Sequence, residues 1–471
     1  MQSSVIRPAQ LEGIRERIVG IDRQVPLLDG TQRQYINFDN AASTPALHDV
    51  KATLDRFLEW YSSVHRGTGL KSQVATHAYE QSREIVAEFV GADPQEYTVI
   101  FGKNTTEATN LLAQRFPWSD GDVALVSWME HHSNDLPYRA QAHVVHIACD
   151  AQGRLDEADF DRLLALHAGR VKLVAVTGAS NVTGFINPAH RIARKAHAAG
   201  AQILVDCAQL APHRPIAMGR LDDPEHFDYL TLSAHKMYAP FGTGALVARR
   251  DTFAHGAPAM RGGGTVEIVT VDDVVWTDPP EKDEAGSPNV VGAVALAAAC
   301  RTLQSIGMQR VADHEAELTA YALAQLQTVP GLRLYGDPDP ARARERLGVI
   351  PLGMAEHSHF LVAAILSAEY GIGVRNGCFC AHPYILHLLG LSAAEAEQVR
   401  RDMRAHNRSE MPGLTRVSFG LYNTAEEIDI LVDALARIAR GQIRGRYVQD
   451  RASGDYRPED WQPRLEEFFR L

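Results

Sequence analysis

Short, continuous apolar runs recur along the chain, and segments with hydrophobic residues at helical spacing separate them. Runs of this kind lie at residues 123–127, 173–177 and 203–205, and a helical pattern over residues 189–199 connects the last two. Such runs are typical of parallel strands that are buried on both faces, and helices between them indicate crossover connections. The pattern therefore predicts an α/β fold whose large domain contains a mainly parallel sheet.

Helical patterns also occur towards both ends of the chain. Near the N-terminus, hydrophobic residues recur at helical spacing at Leu11, Ile14, Ile18 and Ile21. We therefore expect an amphipathic helix over residues 8–22. Long helical patterns begin near residue 293, and further strands and helices follow them. The expected organisation is an N-terminal segment of residues 1–30 that packs with the small domain, a large domain of residues 31–292, and a smaller α/β domain of residues 293–471.

The composition is that of an ordinary globular protein. The 471 residues, 45% apolar and 22% charged, are enough for one large core and one smaller core. A net charge of -11 argues against a nucleic-acid binder, since no basic stripe is present to neutralise phosphates. No run approaches the ~18 apolar residues of a membrane span, and residues 1–8 lack the apolar core of a signal peptide. Five scattered cysteines do not form a disulfide framework, so we expect a cytoplasmic protein.

A lysine that follows an apolar run is the first candidate for catalysis. Residues 231–238 read Thr-Leu-Ser-Ala-His-Lys-Met-Tyr, so Ser233 and His235 precede Lys236 closely. An amine that is desolvated at the end of a buried strand stays partly neutral and can form a Schiff base with an aldehyde cofactor. Ser233 and His235 would then lie within reach of the cofactor's phosphate. The alternative is an ordinary surface lysine after a strand.

An acid that ends another apolar run strengthens this interpretation. Asp206 closes the run over residues 201–206, and Gln209 follows three residues later. Ligands of open α/β sheets bind at the carboxyl ends of strands. Pyridoxal 5'-phosphate needs a carboxylate that keeps its pyridine nitrogen protonated, and Gln209 could donate to its phenolate oxygen. Asp206 could instead cap a helix, but its presence together with Lys236 favours the cofactor.

A strand that runs directly into a helix provides a candidate anion site. Residues 99–111 pass through Gly102 to a helix that starts with Thr105 and Thr106. Free amides and the helix dipole attract an anion at such a helix N-terminus. A capping box formed by threonine and Glu107 explains the same residues.

Two other strand ends carry side chains that suit the same ligand. His131 and His132 follow the run over residues 123–127. A histidine there can stack on a pyridine ring and also pass protons, so His131 is a candidate catalytic residue, whereas a metal site would need a third ligand that the spacing does not provide, so we expect no metal. Asn181 follows the run over residues 173–177. Its amide can donate to a carboxylate or to the cofactor, or it can serve as a turn residue.

Two long motifs make the chain similar to a known family. Residues 38–45 read Phe-Asp-Asn-Ala-Ala-Ser-Thr-Pro, and residues 416–424 read Arg-Val-Ser-Phe-Gly-Leu-Tyr-Asn-Thr. With these motifs the chain resembles the class V aminotransferase family of pyridoxal phosphate enzymes, and within it the cysteine desulfurases of the SufS type. The resemblance implies a PLP-dependent transferase of fold type I, a homodimer, and an amino-acid substrate that we expect to be L-cysteine.

The resemblance also implies roles for the residues that match its motifs. Thr106 would supply a hydroxyl ligand to the phosphate, and His131, which follows a glutamate, would stack on the ring. Ser287, at a position usually occupied by threonine in desulfurases, would reach the phosphate bound by the partner subunit. The substrate, and its carboxylate in particular, would be bordered or bound by Ala41, Asn181, Arg375 and Arg416.

The nucleophile of the resembled family falls on Cys380. Residues 375–383 read Arg-Asn-Gly-Cys-Phe-Cys-Ala-His-Pro. The implied reaction converts L-cysteine to L-alanine, with Lys236 moving the α-proton and the sulfur left as a persulfide on Cys380, from which a sulfur-acceptor protein could take it. Cys380 could instead be a buried thiol. Cys378, Cys380 and His382 could also bind zinc, although ligands so close together give poor tetrahedral geometry.

Other functions remain compatible with the sequence. A C–S lyase acting on cysteine or selenocysteine, an epimerase or an aminotransferase of the same fold would leave Cys380 without a chemical role. A sulfur-carrier scaffold with a vestigial cofactor site is a further alternative, which the presence of Lys236 and Asp206 argues against. The chain departs from the desulfurase pattern at Cys378, often a histidine, at Ser287, and through an insertion ahead of Arg416.

Overall fold

The computed structural model describes residues 7–471, so most of the segment examined for a signal peptide, residues 1–8, lies outside it. The strands, in chain order, are β1 (Gln24–Pro26), β2 (Gln32–Gln34), β3 (Ile36–Asn37), β4 (Tyr97–Gly102), β5 (Val123–Ser127), β6 (His143–Ile147), β7 (Val171–Thr177), β8 (Gln202–Asp206), β9 (Tyr229–Ser233), β10 (Gly244–Arg249), β11 (Val266–Val269), β12 (Val274–Trp276), β13 (Leu332–Leu334), β14 (Val349–Met354), β15 (Ile372–Gly373), β16 (Arg375–Gly377), β17 (Leu414–Ser418), β18 (Tyr447–Gln449) and β19 (Tyr456–Pro458). The helices are α1 (His48–Leu58), α2 (Leu70–Phe89), α3 (Thr105–Arg115), α4 (Glu157–Leu166), α5 (Ala189–Ala198), α6 (Arg250–Ala254), α7 (Val290–Ile306), α8 (Met308–Leu326), α9 (His359–Tyr370), α10 (His382–Leu389), α11 (Ala393–Arg404) and α12 (Ala425–Ala439).

A seven-stranded sheet in the order β4-β10-β9-β8-β7-β5-β6 forms the centre of the large domain. The strands from β9 to β6 in this order run parallel to their neighbours, and β10 is antiparallel to both β4 and β9. Parallel neighbours need a crossover connection, and α5 connects β7 to β8 as the sequence pattern predicts. The predicted α/β fold with a mainly parallel sheet is therefore confirmed.

Alternate residues of the central strands enter two different hydrophobic clusters. Val123 and Leu125 of β5 pack in the cluster that includes α1, α2 and α7, whereas Ala124 and Val126 pack in the cluster that includes α3. Consecutive strand residues point to opposite faces of a sheet, so helices cover both faces here. This packing explains why the strands are continuous apolar runs instead of alternating patterns.

The C-terminal part of the chain contains a four-stranded antiparallel sheet, β13-β14-β17-β16. Its hydrophobic cluster combines α8, α9 and α12 with Ile36 and Phe38, and β3 pairs with β15. The segment around Phe38 therefore packs with the C-terminal part, whereas α7 packs on the large sheet. The domain boundaries at residues 30 and 292 stay predictions. Phe38 lies after residue 30 but packs with the C-terminal part, and most of α7 lies after residue 292 but packs on the large sheet.

The amphipathic helix predicted over residues 8–22 is wrong. In this described stretch a 3-10 turn at Arg15–Arg17 forms instead. Gly13 and Gly20 have φ angles of 68° and 78°, which a right-handed helix does not accommodate. Ile14 and Ile18 are nevertheless buried in the cluster of the large sheet. The helical spacing therefore marked the buried side of an irregular segment.

Two further observations concern the chain as a whole. Among residues 7–471 no single helix is long and apolar enough to cross a membrane, while α7 and α8 pass that test together but are bent by 75°. All five cysteines are free thiols, of which Cys149, Cys207, Cys300 and Cys378 are buried and Cys380 is exposed.

Three strands of the central sheet end side by side at one edge. The register pairs Thr177 of β7 with Asp206 of β8, and Asp206 with Thr231 of β9. β9 then ends at Ser233, which pairs with Gly244 of β10. Open α/β sheets bind ligands at the carboxyl ends of their parallel strands, so a ligand site is expected at this edge.

Candidate functional site

A cavity of about 260 Å³ opens at this edge of the central sheet. Lys236 lies in it, at the end of a 3-10 turn, Ala234–Lys236, that directly follows β9. The cavity also brings together the sequence-predicted residues Ala41, Thr105, Thr106, His131, Asn181, Asp206, Gln209, Ser233, His235, Arg375, Cys380 and Arg416. Ser287 is the one predicted residue that it does not include.

Lys236 and Asp206 are an electrostatically coupled, buried pair. Burial lowers the pKa of the Lys236 amine to about 8, an effect that Asp206 opposes and the nearby Arg416 adds to. Burial likewise raises the pKa of Asp206, while a hydrogen bond and Lys236 lower it. A fraction of the amine is therefore neutral near physiological pH, which a nucleophilic or proton-carrying lysine requires.

Asp206 presents one oxygen to the protein. Its Oδ1 accepts a hydrogen bond of 2.9 Å from the backbone N–H of Ala208, within a turn and not at the start of a helix. The role of helix N-cap therefore does not apply to Asp206. Gln209, three residues after Asp206, donates from Nε2 to the carbonyl of Ala41 at 2.7 Å. This bond fixes the loop at Ala41 against the same edge of the sheet.

The N-terminus of α3 forms one end of the cavity. Its N-cap is Asn104, whose side chain accepts from the N–H of Glu107 at 3.0 Å, so the threonine capping box is wrong. Thr105 instead donates its N–H to Ser233 Oγ at 3.0 Å, and the Ser233 hydroxyl donates to Thr105 Oγ1 at 2.9 Å. Hydroxyls and backbone amides at a helix N-terminus suit a phosphate or another anion.

His131 lies on the cavity wall beside this anion site. Its Nδ1 accepts from the N–H of Ser133 at 3.1 Å, and Ser133 Oγ lies 2.6 Å from Thr106 Oγ1. Burial and the positive charge of Lys236 lower the pKa of His131 to about 3, and the same two causes lower that of His235 to about 4. Both rings are therefore neutral at physiological pH, and the contact at Nδ1 places the ring proton of His131 on Nε2.

Arg416 forms the opposite end of the cavity. Its Nη1 donates to the carbonyl of Asn181 at 2.9 Å, and Nη2 lies 3.0 Å from Oδ1 of Asp39. The guanidinium carbon is 4.8 Å from the centre of the Phe379 ring. Arg375 is more exposed, and its Nη1 lies 3.8 Å from Oδ2 of Asp39. Two arginines therefore converge on one carboxylate, the arrangement that recognises such a group.

The two neighbouring cysteines occupy different environments. Cys380 is exposed and lines the cavity, so the buried-thiol alternative does not describe it. Cys378 is buried, donates from Sγ to the carbonyl of Pro412 at 3.1 Å, and has a pKa raised by burial to about 12. His382 faces His132 instead of either thiol. Cys378 and His382 therefore bind separate partners while Cys380 faces the cavity, so these three side chains do not converge on a zinc site.

Ser287 lies elsewhere in a single chain. It lines a separate cavity of about 660 Å³ together with His65, Arg66 and Gly263. This placement leaves its assignment to the site of a partner subunit as a prediction.

Several residues of the site were missed by sequence reasoning. Asp39 lies in the motif over residues 38–45 and Ser133 directly follows the two histidines, so their places next to candidate residues were available signals. Asn104 occupies the residue before two threonines, which is a typical N-cap pattern. No sequence pattern indicated Phe379, because a phenylalanine between two cysteines does not show that a cation will contact its ring.

The chain matches known proteins along most of its length. The model of the aminotransferase class-V family matches residues 36–431. A cysteine desulfurase of Dickeya dadantii is 35% identical over 420 residues, 88% of this chain and 93% of the relative. One of Haloferax volcanii is 34% identical over 448 residues, 91% of this chain and 96% of the relative.

Solved structures agree with these sequence matches. An apo cysteine desulfurase from Thermococcus onnurineus has a TM-score of 0.77 and 31% identity, covering 93% of this chain and 99% of its own. A cysteine desulfurase from Escherichia coli, in an S-sulfonic acid form, has a TM-score of 0.74 and 29% identity, covering 93% of this chain and 100% of its own. On its sequence, its fold and the residues around its cavity, the chain belongs to the aminotransferase class-V family.

Proposed function

We propose that the chain is a pyridoxal 5'-phosphate-dependent cysteine desulfurase, which converts L-cysteine to L-alanine and holds the sulfur as a persulfide on Cys380. The observation that carries the proposal is the exposed thiol of Cys380 in the same small cavity as Lys236, Asp206 and Arg416. Relatives and structural neighbours that carry the name cysteine desulfurase cover almost the whole chain.

The chemistry of the cavity residues fits the cofactor. Lys236 would bond its aldehyde, and the buried carboxylate of Asp206 would hold the proton of the pyridine nitrogen. The neutral ring of His131 would cover the pyridine face, with Gln209 near the phenolate oxygen. The phosphate would lie among the hydroxyls and amides contributed by Thr105, Thr106, Ser233 and His235. When bound, pyridoxal phosphate supplies an electron sink for charge that develops at the substrate's α-carbon.

The arginines would hold the substrate. Arg416 is fixed by the Asn181 carbonyl and is ion-paired with Asp39, so it offers a preformed fork for a carboxylate. The substrate carboxylate would take the place of the Asp39 oxygen on Arg416, with Arg375 and the amide of Asn181 close by. This exchange orients the substrate between Lys236 and Cys380.

Two residues of the chain would carry out the chemical steps. Lys236, whose pKa lies near 8, would take the α-proton from the substrate and return a proton during product formation. The thiolate of Cys380 would attack the substrate sulfur, forming an S–S bond while the C–S bond breaks. The electron pair of the broken bond remains with the substrate's β-carbon. This carbon takes up a proton and becomes the methyl group of alanine, which then leaves.

A product assay tests the proposed function directly. The purified protein, loaded with pyridoxal phosphate, is incubated with L-cysteine and an added thiol, and alanine, pyruvate and sulfide are measured together. A desulfurase gives alanine and sulfide in equal amounts, because sulfur leaves the persulfide only after alanine has formed. Pyruvate in place of alanine would identify a lyase and overturn the proposal.

Asp206→Asn should keep part of the cofactor and lose most of the activity. A neutral amide cannot hold the proton of the pyridine nitrogen, so we expect turnover to fall by at least about 100-fold. Cofactor absorbance and kcat are measured on the same preparation. Thr231→Val serves as the control, since it removes a 3.5 Å contact to Asp206 but keeps the carboxylate. Unchanged turnover in the asparagine variant would assign Asp206 a purely structural role.

We further propose a homodimer and a sulfur acceptor. Ser287 lies in a cavity separate from Lys236, where it could complete the phosphate site of the partner subunit. The hairpin of β11 and β12 exposes Ile268, Val269 and Val271, apolar surface that a second subunit would cover. The exposed position of Cys380 would allow a protein or small thiol to collect the sulfur. Five free cysteines support a reducing, cytoplasmic location.

A further inference from the structure

The loop that carries Cys380 has an unusual backbone. Phe379 and Cys380 have φ angles of 50° and 54°, in the left-handed region that residues other than glycine rarely adopt. Two consecutive residues in this conformation persist only where the surrounding structure holds them. The contacts around the loop therefore decide where the thiol of Cys380 points.

His132 contacts this loop on both sides of Ala381. Its backbone N–H donates to the carbonyl of Cys380 at 2.8 Å. Its ring Nε2 lies 3.4 Å from the backbone N–H of His382 and 3.2 Å from Nδ1 of His382. The two imidazole planes are 6° from parallel, with centres 5.0 Å apart. The backbone N–H of His382 faces Nε2 of His132, so this nitrogen is the acceptor, and the nearby Nδ1 of His382 then carries its ring proton and donates to it.

Other contacts hold the neighbouring atoms of the loop. Asn181 donates from Nδ2 to the carbonyl of Phe379 at 2.8 Å, and the N–H of Ala381 donates to the carbonyl of Cys378. Cys378, Phe379 and Ala381 also pack in an apolar cluster with Tyr384 and other residues of α10. Packing thus holds the loop on both sides of Cys380, Asn181 adds a polar contact ahead of Cys380, and the pair of histidines adds polar contacts at Cys380 and beyond it.

We propose that His132 and His382 form a clamp that positions the Cys380 thiol for its attack on the substrate sulfur. Both are positioning residues, because they act through the loop. The inference rests on the proposed function for its chemical meaning, while the clamp itself is a property of the loop that is measurable without substrate.

Acid should open the clamp. Burial lowers the pKa of His132, and the nearby His382 and Arg139 lower it further, while Asp135 opposes them. Burial also lowers the pKa of His382. Both rings are therefore neutral at physiological pH, and Nε2 of His132 is free to accept. Protonation of this nitrogen, at a pH below its ordinary pKa of about 6.5, removes the acceptor and places two N–H groups against a third. The clamp thus holds at neutral pH and is lost as the pH falls.

His132→Leu tests the clamp in the cofactor-loaded enzyme. We expect kcat with L-cysteine to fall by about 10- to 100-fold, the effect of misplacing a reacting group by roughly 1 Å. KM should change by less than about twofold, because the variant leaves Arg416 in place. Hydrogen–deuterium exchange of the peptide over residues 377–385 should become faster, while the absorbance of the bound cofactor stays the same.

Two variants separate positioning from general structure. His132→Gln restores an acceptor near the place of Nε2, so kcat should return to within about threefold of wild type. The part of the fall in kcat that lies below about pH 6.5 should also be smaller than in wild type, since an amide does not titrate in this range, whereas Lys236 contributes equally to both proteins. His387→Leu is the control on α10, the helix that begins at His382, where it loses a 2.7 Å contact to the Asp150 carbonyl but does not touch the loop. It should keep wild-type kcat and loop exchange.

The possible outcomes are distinguishable. His382→Leu removes the other ring of the clamp in case the His132→Leu protein does not fold, and should accelerate exchange of the same peptide. Wild-type exchange and kcat in both leucine variants would overturn the clamp. Loss of cofactor absorbance in His132→Leu would also overturn it, by assigning His132 to the pocket of His131. If wild-type enzyme forms no alanine, the proposed function fails, but loop exchange in the leucine variants still decides whether the clamp exists.

Discussion

Lys236→Ala is expected to abolish the covalent bond between cofactor and protein and to lower turnover by roughly 10²- to 10⁴-fold, the range of a lost acid–base group. The reason is that Lys236 is the one lysine whose amine lines the described cavity, where burial keeps its pKa near 8. Borohydride reduction followed by peptide mass spectrometry measures the bond, and alanine formation measures turnover.

A lysine outside the cavity provides the control for this result. Lys103 is exposed and lies between β4 and α3, so Lys103→Ala should keep both the reducible bond and the activity. A cofactor bond of full strength in the Lys236→Ala protein, mapped to another lysine, would remove Lys236 from its proposed role.

Cys380→Ser should lower the rate of alanine formation from L-cysteine by at least about 100-fold and leave cofactor binding intact. A serine hydroxyl stays protonated near neutral pH and is a far poorer nucleophile towards sulfur than a thiolate. Cofactor absorbance is recorded first, and alanine is then quantified. Cys378→Ser is the matched control two residues away, since Cys378 is buried against Pro412 and faces away from the cavity.

The same variant separates a desulfurase from a lyase. β-Elimination needs the cofactor and Lys236 but no protein thiol, so a lyase would continue to release pyruvate and sulfide from the Cys380→Ser protein. A wild-type rate of alanine formation in this variant would show that another group accepts the sulfur.

The main features of the fold and of the site were predictable because strand ends carry both. β8 and β9 are buried on both faces, so their apolar runs were recognisable, and each run ends at a polar residue that has to face the cavity. Asp206 and Lys236 were predicted for this reason, and the structure places both in the cavity. The number of residues between Asp206 and Lys236 does not show that they are close in space. Their positions at the carboxyl ends of two parallel strands do, because such ends meet at one edge of a sheet.

Other features depend on tertiary contacts that no local pattern encodes. Asp39 meets Arg416 because Asp39 pairs with Ser418 of β17, two residues after Arg416, which joins distant parts of the chain. The contact between His132 and His382 joins residues 250 positions apart. The helix predicted over residues 8–22 is wrong although its hydrophobic spacing was suitable, because Gly13 and Gly20 adopt positive φ angles.

Locating the sulfur tests the central claim most directly. Wild-type protein is incubated briefly with L-cysteine, its thiols are blocked, and the peptide that contains Cys378 and Cys380 is sequenced by fragment-ion mass spectrometry. The proposal predicts one added sulfur, about 32 Da, on Cys380, together with an equal amount of alanine. Added sulfur on Cys378, or alanine formed without any sulfur on Cys380, would contradict it.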